Sequence, residues 1–191
     1  MLSRGFYQRP TVEVARDLLG KVLVRTGREG TVAVRLTEVE AYLGPDDPAC
    51  HTFGGRRTPR VRSMWGAAGY AYVYLVYGVH HCLNFVTVGR GAGEAVLART
   101  AVPVFGHELI RRRRGSKVAG GELCNGPGKL SQALAITRND DGRDLCSRRP
   151  RIYLVDCGIE VRESDVRRGP RVGVSYAGEA AHWPLRFLYA P

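Results

Sequence analysis

The sequence has little lysine, little sulfur and no long apolar run. Only Lys21, Lys117 and Lys129 among its 29 basic residues are lysines, so the basic charge is almost all arginine. Its 5 cysteines (Cys50, Cys82, Cys124, Cys146 and Cys157) are odd in number and never stand in a C-x-x-C spacing. That spacing pattern argues against both a disulfide framework and a zinc ribbon. No apolar stretch approaches the ~20 residues that span a membrane, and the first residues, Met1 to Phe6, hold no apolar signal segment. Together these absences predict a soluble chain in a reducing compartment, the cytoplasm or a nucleus, with no membrane partner.

Acidic residues are also the minority. The 18 Asp and Glu against 29 Lys and Arg leave a net charge of +11. Such an excess concentrates polyanions, which puts nucleic acid first among partners, although an arginine-rich, GC-rich genome yields the same count. The chain of 191 residues reads as one domain, 1–191, able to bury roughly 70% of its unfolded surface. There is no internal repeat and no low-complexity linker.

Patterning predicts a short helix from Val12 to Leu19 ahead of Gly20, a strand over Lys21–Arg25, a turn at Gly27–Gly30 and a second strand over Thr31–Tyr42. A long loop follows from Gly44 to Gly69, of the kind that is more often functional than decorative. Strands are expected over Tyr70–Val76 and His80–Val88 around a turn at Tyr77-Gly78, then over Glu94–Val102, Arg151–Val155 and Arg171–Val174. Helices are expected at His107–Arg114, whose four terminal arginines read as a solvated end, and at Lys129–Ile136, with Asn125 as its cap and Pro127 in its first turn. Strands without regular βαβ spacing argue for an α+β fold with a mostly antiparallel sheet.

Three features bear on chemistry. A period of two along Thr31–Tyr42 places Glu38, Glu40 and Tyr42 on the face of Val32, Val34 and Leu36. Carboxylates there are either proton-transfer groups or partners of arginines, and Glu40, at the strand's end beside the loop, is the stronger candidate. Tyr70, Tyr72 and Tyr74 share one strand face, whereas Tyr77 projects at a hairpin tip, where a tyrosine can wedge between bases. The glycine-containing loop with Arg56 and Arg57, and the segment Asn125-Gly126-Pro127-Gly128-Lys129, offer phosphate contacts or, respectively, a solvated loop and a helix start. The latter lacks the phosphate-loop spacing, so a nucleotide triphosphatase is not supported. Neither Cys50-His51 nor His80-His81-Cys82 chelates readily, and the zinc deaminase signature is missing, so no metal is expected.

The order and spacing of Thr37–Pro45 (TEVEAYLGP), Cys50-His51, Tyr72–Gly78 (YVYLVYG), Asn84 and Asn125–Leu130 (NGPGKL) resemble the alkyladenine (3-methyladenine) DNA glycosylases of the mammalian type. The resemblance runs from about Leu18 to Phe187. It implies a single catalytic domain, a curved antiparallel sheet flanked by helices, and a protruding hairpin that enters DNA. It implies that Glu40 activates the water attacking a flipped nucleotide, with Arg99 and the Val172 backbone completing the water site. Tyr42, His51 and Tyr74 would sandwich the extruded base, Asn84 would exclude guanine, and Tyr77 would fill the gap in the duplex. Arg56, Arg57 and Lys129 are expected on the DNA backbone. One departure is Val79-His80, where the family commonly has Met-Tyr.

The expected function is therefore monofunctional removal of damaged purines from duplex DNA by a monomer without cofactor. No lysine near Glu40 supports a Schiff base. A non-catalytic reader of damaged or structured nucleic acid is the alternative, and an RNA-directed relative a second.

Overall fold

In the computed structural model, which describes residues 1–190, two short helices precede the sheet: α1 (Arg4–Tyr7) and α2 (Thr11–Leu18). In α2 the buried Thr11, Val14, Ala15 and Leu18 recur at the helical spacing of three and four residues. Its Thr11 hydroxyl is turned to Thr87 and Glu94 instead of capping the helix. Gly20 then ends the turn at φ +80°, where an added Cβ would lie 2.8 Å from Val161.

The strands are β1 (Val22–Gly27), β2 (Gly30–Tyr42), β3 (Ala71–Val76), β4 (His80–Val86), β5 (Ala95–Phe105), β6 (Ile152–Val155), β7 (Val166–Gly169) and β8 (Arg186–Tyr189). They form one antiparallel sheet ordered β3-β4-β5-β2-β1-β6, with β7 and β8 joined to it through β2. The thirteen-residue β2 is the axis. On one side it pairs with β5 along its length; on the other it pairs with β1 up to Arg35 and with β8 from Glu38 to Glu40. Helices α3 (His107–Arg114) and α4 (Pro127–Ala133) flank the sheet. The α+β class and curved antiparallel sheet read from the sequence are what the structure has.

A change of partner inside one strand requires a break in its register, and β2 has bulges around Leu36–Val39. There the strict alternation fails. Val32, Val34 and Leu36 enter the main core, but so do Val39 and Ala41. Glu38, Glu40 and Tyr42 therefore lie on the opposite face from the valines, contrary to the sequence expectation.

Other expectations shift for comparable reasons. Residues 171–174 are not a strand: Gly173 has φ +76°, and Arg171 is turned inward by its side chain. The added edge strands are instead β7 and β8. The segment from Gly44 to Gly69 is built of 3-10 turns at Gly44–Asp46, Phe53–Gly55 and Pro59–Trp65. Gly126, not Asn125, caps α4, and the Asn125 side chain accepts a hydrogen bond from Lys129 Nζ at 2.8 Å. Half of the arginine run is the expected solvated end, Arg111 and Arg112 being exposed, whereas Arg113 binds Glu29 and the Ala133 carbonyl and Arg114 binds the Leu123 carbonyl.

Candidate active site

One face of the sheet is core; the other is a pocket, and the register shows how. Tyr72 pairs with Asn84, Asn84 with Leu97, and Leu97 with Glu40, so one rung crosses β3, β4, β5 and β2. Two residues along, Tyr74 pairs with Cys82, and Arg99 follows Leu97 on β5 towards Glu38 on β2. Side chains of both rungs point to the same face by the period of two. The resulting cavity of about 250 Å³ is lined by Tyr42, His51, Tyr72, Tyr74, Asn84 and Arg99, among others. It sits between two small apolar clusters, one under Tyr72 and Met64 and one around Val174 and Ala177, and Tyr42 packs against both.

Glu40 is wholly buried at the back of this wall. Its Oε1 accepts the Val172 N–H at 2.7 Å, its Oε2 accepts the Tyr42 hydroxyl at 2.9 Å, and Arg99 Nε lies 3.4 Å from Oε1. All three partners line the pocket. Burial pushes the Glu40 carboxyl above its ordinary range, against the pull of Arg99, the Val172 amide and Tyr42. A carboxylate that is desolvated yet held by two hydrogen-bond donors and an arginine's charge next to a cavity is suited to taking a proton.

The aromatic walls are specific in arrangement. His51 and Tyr74 meet edge to face with centroids 4.6 Å apart, too close to admit a base between them. They form one wall together, and Tyr42 contributes another. The Arg171 guanidinium stands 4.8 Å from the Tyr42 ring centre, which occupies one ring face. His51 Nδ1 is 2.8 Å from the Tyr72 hydroxyl. Burial, helped by Arg60 and Arg56, lowers the His51 pKa to about 4, so the imidazole is neutral at physiological pH. Cys82 also lines the pocket, but burial raises its thiol pKa and keeps it protonated.

Behind Tyr42 a fully buried ion pair ties the site together. Arg171 binds both carboxylate oxygens of Asp47, along with the carbonyls of Ala41 and Ala180. Asp47 also accepts the backbone N–H groups of Leu43 and Ala49, each at 3.0 Å. The end of β2, the loop carrying His51 and the segment carrying Val172 are thus pinned at one point.

The hairpin between β3 and β4 turns at Tyr77 (φ 51°) and Gly78 (φ 72°). Tyr77 is 92% exposed at the pocket's rim, an uncommon place for a tyrosine in a left-handed conformation. Of the expected DNA contacts, Arg56 and Arg57 are exposed in the loop, Arg57 lying over the Trp65 ring at 4.0 Å. Lys129 does not line the pocket; its α4 neighbour Pro127 does. Among the described residues no cluster of three or more potential ligands could hold a metal ion, and no helix is long and apolar enough to cross a membrane.

Every pocket residue expected from the sequence comes together here: Tyr42, His51, Tyr74, Asn84, Arg99 and Val172, with Glu40 behind them and Tyr77 at the rim. Glu38 pairs with Arg99, the arginine-partner alternative that the sequence offers for it; the Asp47–Arg171 pair has no counterpart in the sequence reading. Tyr72 was flagged by its alternation with Tyr70 and Tyr74, but its contact with His51 had no local signal. Asp47 and Arg171 are 124 residues apart, so no local pattern joins them.

A family model described as methylpurine-DNA glycosylase matches residues 5–191. A protein of Methanocella arvoryzae is 48% identical over 98% of this chain and 91% of its own length. One from Bdellovibrio bacteriovorus is 45% identical, over 98% and 94%. One from Desulfitobacterium hafniense is 44% identical, over 97% and 93%. All three are named, provisionally, as 3-methyladenine DNA glycosylases. The match covers every element that builds the pocket, and the chain belongs to the methylpurine-DNA glycosylase family of DNA repair hydrolases.

Proposed function

We propose that this protein releases damaged purines from duplex DNA by hydrolysing the N-glycosidic bond with a water activated by Glu40. The observation that carries the reading is the buried Glu40 carboxylate, raised in pKa and held by the Val172 N–H, Tyr42 and Arg99 against an aromatic pocket. The target nucleotide leaves the stack, because its glycosidic bond is out of reach inside the helix. Tyr77, exposed on the hairpin, occupies the space it vacates. The base lies against the free face of Tyr42 and the wall formed by His51 and Tyr74. Stacking of this kind tolerates different bases, so 3-methyladenine, the lesion in the names of the relatives, and also hypoxanthine and ethenoadenine are substrates.

Selectivity has two sources. Damaged purines are weakly paired or are better leaving groups, which lowers the cost of flipping and of bond cleavage. Asn84 is buried with its amide donating to the Tyr72 carbonyl at 3.1 Å, so it is fixed, and it crowds the position of a guanine 2-amino group. Glu40, steadied by the Val172 N–H, takes the proton of the attacking water while Arg99 and the backbone around Val172 orient that water; the water oxygen bonds C1′, the bond from C1′ to the base nitrogen breaks, and an abasic site remains. A cationic base leaves directly, whereas neutral hypoxanthine also requires protonation of its leaving nitrogen. The protein acts as a monomer, and Arg56, Arg57 and Lys129 lie along the DNA backbone.

The test is base release from duplexes carrying a single hypoxanthine or 3-methyladenine, with Glu40→Gln run in parallel. Release by the wild type alone supports the assignment. Binding of these duplexes by both proteins without release by either would instead establish a damage reader.

A further inference from the structure

We propose that Glu38 is a positioning residue that holds the Arg99 guanidinium between two carboxylates and keeps it from neutralising Glu40. The inference rests on the assignment of Glu40 as the water-activating base. Arg99 Nε carries one hydrogen, and it is 3.0 Å from Glu38 Oε1 but 3.4 Å from Glu40 Oε1. The single donor is therefore committed to Glu38, and Glu40 receives the arginine's charge without its best hydrogen bond. Glu38 is itself immobilised. Its Oε2 accepts the Thr100 hydroxyl at 2.7 Å, and its Oε1 lies 3.3 Å from Arg186 on β8. Although burial opposes it, the Thr100 hydroxyl and Arg99 hold the Glu38 carboxyl below its ordinary range, so it stays ionised where Glu40 titrates.

The other groups around Glu40 leave Arg99 as the adjustable one. From β2 come Glu38 and Tyr42, from β5 Arg99, from β3 Tyr74 and from β4 Cys82. Arg186 stands opposite Glu40 in the β8 register but is engaged by Glu38. Arg171 is committed to Asp47. Desolvation raises the Tyr42 and Tyr74 hydroxyls and the Cys82 thiol above their ordinary pKa values and keeps them protonated. Removing the Glu38 charge takes away a like charge and leaves Arg99 Nε only a neutral, weaker acceptor there, so the guanidinium shifts towards Glu40. Both changes favour ionised Glu40 and weaken it as a base.

The experiment is the pH dependence of single-turnover release of hypoxanthine or 3-methyladenine from duplex DNA, measured for wild type, Glu38→Gln, Glu38→Asp and Glu40→Gln. In Glu38→Gln the acidic inflection is expected to fall by about one pH unit, with a lower plateau, and Glu38→Asp moves it back towards wild type. A merely structural role would lower the melting temperature and scale the whole profile without moving its inflection. If Glu40→Gln is inactive and the Glu38→Gln inflection coincides with wild type, the positioning role alone is overturned. If Glu40→Gln retains release, the assignment of the base fails and the inference with it. Should Glu38→Gln not fold, Thr100→Val unpins the same carboxylate at constant charge and is expected to move the inflection the same way by less. An unmoved inflection in that variant overturns the proposal.

Discussion

The Asp47–Arg171 pair predicts an unusually costly single substitution. Both side chains have no solvent exposure. Four donors converge on the Asp47 carboxylate: two guanidinium nitrogens of Arg171 and the backbone N–H groups of Leu43 and Ala49. Asp47→Asn keeps the shape but presents one oxygen, so donors on the amide side face another N–H. It also leaves the Arg171 cation buried without its counter-charge. Breaking a buried pair by removing one partner costs about 3–5 kcal/mol. For a domain of this size each kcal/mol is worth roughly 2–4 °C, so the melting temperature should fall by roughly 6–20 °C. The assay is thermal and urea unfolding of wild type, Asp47→Asn, Arg171→Met and the double variant. The double variant should be more stable than the sum of the singles implies, because each alone strands the other partner. A single-variant loss below about 1 kcal/mol, or strict additivity, would refute the argument that the pair pins the site.

Three further outcomes are expected. Glu40→Gln should retain binding to lesion-containing duplex while release falls by at least about 10²-fold, the usual worth of a general base; single-turnover kinetics beside a binding titration check both halves. Tyr77→Ala should leave stability within about 0.5 kcal/mol, since the side chain packs on little, yet slow base release; a large drop in melting temperature would show a packing role instead. His51 titrates near 4 when folded and near 6.5 when unfolded, so between these values the unfolded chain binds the extra proton and stability rises with pH. Acidification through that window should cost wild type up to about 3 kcal/mol from this group, and urea unfolding of His51→Asn should show a correspondingly flatter dependence; equal slopes for the two proteins would contradict it.

The pattern of Tyr70, Tyr72 and Tyr74 was readable in the sequence because a strand's period of two needs no partner to be seen. The same rule misplaced Glu38, Glu40 and Tyr42 relative to Val32, Val34 and Leu36. It assumes an unbroken strand, and β2 changes neighbours near Leu36, from β1 to β8. The bulge that permits the exchange moves the carboxylates from the core face to the pocket face. Residues 171–174 misled in a similar way: their alternating apolar side chains read as a strand, but a buried bidentate ion pair and Gly173 shape the segment instead.

The amino-acid order alone is enough for the α+β class, the exposed hairpin tip at Tyr77-Gly78, the net positive charge, and the family resemblance that names the pocket residues. These depend on local periodicity, turn chemistry and motif order, which are properties of neighbours along the chain. Tertiary structure decided which face Glu40 occupies, that His51 stays neutral beside Tyr72, that Arg99 is shared between Glu38 and Glu40, and that Asp47 finds Arg171 across 124 residues. Burial and charge pairing set those properties, and both depend on distances that exist only once the strands have chosen their partners.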